Sequence, residues 1–128
     1  MSTGVFLERT LAGVLRRAVR SFSALVVTGP RQSGKTTLVR RLFGQSHAYC
    51  SLDDPVVRTQ ALTDPGLVLM RFPPPVILDE IQYTPELLHH VKRDIDEHRS
   101  KRGRYVLTGS QVFPLIQGVT ESLAGRVA

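Results

Sequence analysis

Cysteine is nearly absent: Cys50 stands alone among the 128 residues, so neither an internal disulfide nor a cysteine-rich metal site can form. Its neighbours, His47 to Leu52, read as a strand, where a thiol behaves as a small buried hydrophobe. Tryptophan is missing, and no aromatic residues alternate with the basic ones near the amino terminus, so base stacking is not indicated there. No apolar run approaches the roughly 20 residues that a membrane-spanning helix needs. The amino terminus also lacks a signal-peptide pattern, and a cytoplasmic protein with no membrane partner is the expectation. Acids are scarce at one end: residues 1–41 hold eight basic side chains against Glu8, while the remainder carries nine basic and ten acidic ones. The formal charge of +6 therefore concentrates around the first helix and the loop that follows it. Such a bias favours a polyphosphate ligand and permits contact with nucleic acid, although Arg16, Arg17 and Arg20 are more simply a solvated helix face.

What the chain does contain centres on Gly29-Pro30-Arg31-Gln32-Ser33-Gly34-Lys35-Thr36, which fits the pattern G-x-x-x-x-G-K-[ST]. Ala24 to Thr28, before it, form a short apolar run rich in β-branched residues. Lys35 to Phe43, after it, carry Leu38, Val39, Leu42 and Phe43 at helical spacing. Strand, glycine-rich loop and helix are the context this pattern requires. The glycines allow several backbone N–H groups to converge on phosphate oxygens, and the helix adds its positive amino-terminal end. Gly29 to Thr37 are thus the expected nucleotide-binding segment. Lys35 would reach the β- and γ-phosphates, and the Thr36 hydroxyl would take one position on Mg²⁺.

The length suits one domain with a sizeable core. Val5 to Arg20 predict an amphipathic helix with Leu7, Leu11, Val14, Leu15 and Ala18 on one side. Gly44 reads as a carboxyl-terminal cap of the loop helix. Asp54-Pro55 and Asp64-Pro65 each open a short helix, the aspartate capping and the proline at the first position. Three consecutive prolines, Pro73 to Pro75, then precede the strand Val76-Ile77-Leu78-Asp79. Thr84-Pro85-Glu86 predicts the start of another helix, with Leu87, Leu88, Val91 and Ile95 buried and Asp94, Asp96 and Glu97 solvated. Arg104 to Thr108 predict a fourth strand, Val112–Gln117 and Glu121–Ala124 two helical pieces, and Arg126 to Ala128 the beginning of a fifth strand. Alternation of strands and helices calls for a parallel sheet covered on both faces. Ending at the start of a strand points to a piece of something longer.

Asp79-Glu80 supplies what the loop lacks. A magnesium–nucleotide complex needs a carboxylate near the loop threonine, and Asp79 meets that need directly or through a metal-bound water. Glu80 could polarise a water for in-line attack on the γ-phosphate. Thr108-Gly109-Ser110-Gln111 ends the next strand, and Ser110 or Gln111 could sense the attacking water or the γ-phosphate. Arg126 and Arg31 are weaker candidates for stabilising phosphoryl charge. His89 and His90, being consecutive on one helix, diverge and make a poor metal site.

The phosphate loop, the Asp79-Glu80 strand and the polar strand end at Thr108–Gln111, in that order, resemble the additional-strand-catalytic-glutamate P-loop NTPases of the AAA type. Ser51-Leu-Asp-Asp-Pro55, Leu78-Asp-Glu-Ile-Gln82, Leu107-Thr-Gly-Ser-Gln111 and Glu121-Ser-Leu-Ala-Gly-Arg126 look more narrowly like prokaryotic AAA-type ATPases that carry a carboxyl-terminal domain of unknown function. The resemblance spans nearly all of residues 1–128. It implies a three-layer α/β/α P-loop NTPase fold with a parallel sheet in the order 5-1-4-3-2, strand 5 being truncated here. It also implies binding and hydrolysis of ATP with Mg²⁺, with ADP as product. It gives Lys35 and Glu80 catalytic roles and Thr36 and Asp79 the metal, and the reading of the residues adds Ser110, Gln111 and Arg126 as catalytic candidates. The expected partners beyond nucleotide are a carboxyl-terminal domain of the same chain and, as an option, further copies in a homo-oligomer. Two alternatives stand beside an ATPase. One is a nucleotide-gated module that binds nucleic acid or protein with little turnover. The other is a P-loop phosphotransferase, against which Glu80 argues, because a water-activating carboxylate is a liability where water must be excluded. A GTPase lacks support, since no Asn-Lys-x-Asp run is present and no Asp-x-x-Gly follows the second or third strand.

Overall fold

A computed structural model describes residues 2–30 and 34–110, with side chains from Leu11 onward. Helix α1 (Ser2–Ser21) leads into strand β1 (Ala24–Thr28), helix α2 (Lys35–Phe43) and strand β2 (Ala48–Ser51). Helices α3 (Pro55–Thr63) and α4 (Pro65–Arg71) precede strand β3 (Val76–Asp79). A 3-10 turn (Ile81–Tyr83), helix α5 (Leu87–Glu97) and strand β4 (Tyr105–Gly109) follow.

Local chemistry accounts for most of these boundaries. The Asp54 carboxylate accepts from the Val56 N–H at 2.9 Å with Pro55 at the first position of α3, and Asp64 does the same for Leu67 at 3.2 Å ahead of Pro65. Each such cap is worth about 1 kcal/mol against alanine. The peptide bond between Pro74 and Pro75 is cis. The opening of α5 departs from expectation. Its first residue is Leu87, a hydrogen-bonded turn occupies Pro85 and Glu86, and the buried Thr84 hydroxyl has no hydrogen-bond partner among the described residues. The Thr84 carbonyl, rather than its hydroxyl, meets the helix by accepting from the Leu87 N–H at 3.0 Å.

All strand pairs are parallel, in the order β1-β4-β3-β2. The fifth strand expected beside β1, and the helical pieces expected after Gln111, lie outside the described residues. Pairing aligns Val27 with Thr108, Leu78 with Leu107 and Ser51 with Asp79, so the carboxyl ends of the strands meet along one edge of the sheet. Strand alternation divides the core in two. Leu25, Val27, Ile77 and Val106 pack against Leu15 of α1 and Leu38, Val39 and Phe43 of α2. On the other face, Val76, Leu78, Tyr105 and Leu107 pack against Val57, Val68, Leu88, Val91 and Ile95 from α3, α4 and α5. Burial on both faces explains why the strands read as nearly continuous apolar runs.

Helix α1 presents a narrower buried stripe than its pattern predicts. Ala12 and Leu15 are buried, whereas Leu11 and Val14 are 42% and 45% exposed. An outer-layer helix resting on α2 and β1 covers only the residues directly beneath it, and the flanks of its apolar face stay open. Arg16, Arg17 and Arg20 are exposed, as a solvated face requires. Among the described residues, no helix is long and apolar enough to cross a membrane.

Candidate functional site

The sheet edge at which the strands end carries several of the polar residues singled out in the sequence, among them Lys35, Thr36, Asp79, Glu80 and Ser110. After β1, the Gly29 N–H donates to the Gly109 carbonyl at 3.2 Å, which ties the start of the phosphate loop to the end of β4. Gly34 closes the loop at φ 88°, a left-handed conformation that side chains with a β-carbon disfavour, and it is the residue that caps α2. The positive end of α2 therefore begins at Lys35 and Thr36.

These residues border a cavity of about 310 Å³ lined by Gly34, Lys35, Thr36, Thr37, Tyr49, Ser51, Asp53, Asp79 and Glu80. Four parallel strands would leave such a crevice beyond their carboxyl ends in any open α/β sheet, and ligands bind there. Thr36 Oγ1 donates to Asp79 Oδ1 at 2.9 Å, joining the loop helix to the end of β3. Thr108 donates to the same carboxylate oxygen, and the Tyr49 hydroxyl donates to Asp79 Oδ2 at 2.8 Å. Burial and this carboxylate acceptor push the Tyr49 phenol up to about 12.

A second cluster surrounds Glu80. The buried Lys35 ammonium lies 3.1 Å from Glu80 Oε1 and donates to Ser110 Oγ at 3.0 Å. Ser110 Oγ in turn sits 2.8 Å from each Glu80 carboxylate oxygen, and its single hydrogen can serve either. Gln82 Nε2 also donates to Glu80 Oε2, and the Glu80 N–H donates to Thr108 Oγ1 at 3.0 Å. Burial pushes the Glu80 carboxyl upward. The hydrogen bonds from Gln82, Ser110 and Lys35, with the charge on Lys35, outweigh it and hold the group below the ordinary carboxylate range. Glu80 has φ 60° and ψ 51°, left-handed backbone for a residue that is not glycine.

The residues expected at the site thus fall into three groups. Lys35, Thr36, Asp79, Glu80 and Ser110 converge through direct contacts, and Gly34 and Thr37 line the same cavity. Gly29 and Pro30 stand at the loop's start. Arg31, Gln32, Ser33, Gln111 and Arg126 lie outside the described residues. Sequence reasoning missed Tyr49, Gln82 and the hydroxyl of Thr108 as neighbours of the two carboxylates. Tyr49 could have been suspected, because strand alternation puts it on the same side of β2 as Ser51, two residues nearer the cavity.

The oxygen ligands suit Mg²⁺. Thr36 and Asp79 offer one hydroxyl and one carboxylate, and Mg²⁺ is held by one or two carboxylates with phosphate oxygens and water completing its shell. Among the described residues, no group of three or more histidine, cysteine, aspartate or glutamate side chains gathers that could hold a metal by itself. A cation here would thus depend on oxygens from a phosphate ligand.

Comparison with known proteins agrees with this fold class. Residues 21–128 match the family model described as "AAA domain". An uncharacterized protein of Mycobacterium bovis and one of Mycobacterium tuberculosis are each 40% identical to the chain over 122 residues, covering 94% of it. The chain spans 27% of the length of each of these relatives. With a glycine-rich loop between β1 and α2, a parallel α/β sheet and a family match over most of its length, the chain belongs to the AAA domain family of P-loop NTPase-like, nucleotide-binding proteins.

Proposed function

We propose that this domain binds Mg²⁺-ATP and hydrolyses it to ADP and phosphate, as the ATPase core of a longer protein whose attached region responds by changing conformation. The observation that carries the reading is the convergence on one cavity of Lys35, Thr36, Asp79 and Glu80, with Thr36 2.9 Å from Asp79 and Lys35 3.1 Å from Glu80.

The residues divide the work by charge. The N–H groups at the start of α2 receive phosphate oxygens, and Lys35 exchanges its contact with Glu80 for the β- and γ-phosphates. Thr36 and Asp79 would hold Mg²⁺, which would supply neutralisation of the charge that develops on the transferring phosphoryl group. Glu80 orients a water and accepts its proton as the water oxygen bonds to the γ-phosphorus and the bond to the β–γ bridging oxygen breaks. When Lys35 turns to the phosphates, Glu80 loses its positive neighbour while its burial remains, and its basicity rises at the moment a base is needed. Ser110, hydrogen-bonded to both Lys35 and Glu80, registers which of the two arrangements prevails. Gln111 and Arg126 follow as further candidates from the sequence, Gln111 for the sensing role by its place at a strand end and Arg126 for stabilising phosphoryl charge.

The test is Mg²⁺-dependent release of phosphate from ATP by the full-length protein. Glu80→Gln is expected to lower turnover by roughly 10²–10⁴-fold, the usual contribution of a positioned base, while nucleotide still binds. Wild-type protein that neither binds nucleotide nor releases phosphate would overturn the proposal. Loss of ATP only when a small-molecule acceptor is added would favour phosphotransfer instead.

A further inference from the structure

Asp79 receives hydrogen bonds from three separate elements, and one of these donors lies outside every nucleotide-binding motif. Oδ1 accepts from Thr36 of α2 and Thr108 of β4, whereas Oδ2 accepts from the Tyr49 hydroxyl of β2 at 2.8 Å. We infer that Tyr49 is a positioning residue for the metal: its hydroxyl orients Asp79 so that this carboxylate and Thr36 present their oxygens to one divalent cation. The inference rests on the Mg²⁺-nucleotide reading and names a determinant of metal affinity within it.

A carboxylate turns readily about its last torsion, which is broad and two-fold. Thr36 and Thr108 both address the same oxygen, so by themselves they leave the direction of the other one less defined. Tyr49 supplies the donor to that second oxygen among the described residues. Its own placement is firm. Register pairs Ser51 with Asp79, so Tyr49 lies two residues behind Asp79 on the neighbouring strand, a separation of roughly 6.6 Å that a phenol ring can span. The Arg40 guanidinium covers the ring at 4.3 Å from its centroid, and Arg40 belongs to α2, the helix that begins with Lys35 and Thr36. Tyr49 also lines the cavity, so its hydroxyl is set where ligand and cation would sit. Outer-shell partners that orient a metal ligand typically govern metal affinity by 10- to 100-fold.

The experiment uses full-length protein and a fluorescent ATP analogue whose binding is followed as Mg²⁺ is titrated, with Mn²⁺ paramagnetic resonance as a second measure of the cation. Wild type, Tyr49→Phe, Asp79→Asn and the double variant are compared. Phenylalanine keeps the ring beneath Arg40, and circular dichroism melting checks that the fold is intact. Tyr49→Phe is expected to raise the half-saturating Mg²⁺ concentration about tenfold or more, a larger change than any in nucleotide affinity measured in EDTA. In the Asp79→Asn background the same change should add little, because Tyr49 acts through Asp79. A folded Tyr49→Phe with wild-type Mg²⁺ dependence, or a shift undiminished by Asp79→Asn, overturns the role of Tyr49 alone. Wild-type protein with no Mg²⁺-dependent nucleotide binding overturns the underlying reading and this inference together.

Discussion

Glu80 concentrates more constraint than any other described side chain of the site. Its left-handed backbone costs on the order of 1–3 kcal/mol for a residue with a β-carbon. Thr108 holds its N–H, while Lys35, Ser110 and Gln82 hold its carboxylate. Strain at one residue, offset by donors from three elements, is a pattern found at functional positions more often than in plain turns. Gly34 illustrates the opposite solution, in which the residue type removes the strain. An added β-carbon there would meet no heavy atom within 4 Å, yet φ 88° would still penalise it. Gly34→Ala should therefore destabilise the protein by about 1–2 kcal/mol through backbone conformation alone, as measured by urea unfolding. An unchanged midpoint would show that the loop relaxes to another conformation at no cost.

At the scale of elements, the contact between α5 and β4 depends on Asp94. Arg104 Nε and Nη2 donate to its two oxygens at 2.8 and 3.0 Å, Tyr105 donates at 2.8 Å, and His98 Nδ1 lies 3.3 Å away. The sequence reading placed Asp94 with Asp96 and Glu97 on a solvated helix face. It is instead a partly buried hub, because parallel pairing with β3 brings Arg104 and Tyr105 beneath the helix. Burial raises the Asp94 carboxyl, but the hydrogen bonds from Arg104 and Tyr105 and the charges of Arg104 and His98 bring it below its ordinary value. A depressed folded-state value contributes stability that is complete above the unfolded pKa near 4 and fades as pH falls through the folded one. Asp94→Asn should thus cost about 2 kcal/mol near neutral pH, with the difference from wild type shrinking in unfolding curves taken at successively lower pH below about 4. A constant difference down to the acid limit would assign the loss to packing rather than charge.

Across the whole molecule, the parallel order β1-β4-β3-β2 brings the carboxyl ends of the four described strands to one edge of the sheet, where the ends of β2 and β3 and the start of α2 line the crevice. The site is therefore assembled from segments as distant in sequence as Lys35 and Ser110, which meet at 3.0 Å. A ligand in that crevice bridges elements that unfolding would separate, so binding and stability are linked. Mg²⁺-ATP at 100 times its dissociation constant should add about 2.7 kcal/mol, a rise in melting temperature of roughly 10 °C for a domain of this size. The shift should vanish in Lys35→Ala. Equal shifts in both proteins would place the nucleotide somewhere other than this cavity.

Much of this was legible in the chain itself. The strand, loop and helix around Gly34 follow from β-branched apolar residues, a glycine and helical spacing, all of which act between near neighbours. The Asp-Pro starts of α3 and α4 are equally local, as is the apolar run that ends in Asp79. Tertiary structure alone decided which polar groups touch. Strand register set Tyr49 against Asp79, and the packing of α2 and α5 on the sheet set Lys35 and Glu80 against Ser110 and Asp94 against Arg104. It also left Leu11 and Val14 in solvent despite their place in an apolar pattern. The reason is physical: propensity and capping are local, whereas a carboxylate's state depends on donors brought to it by pairing between strands far apart in sequence.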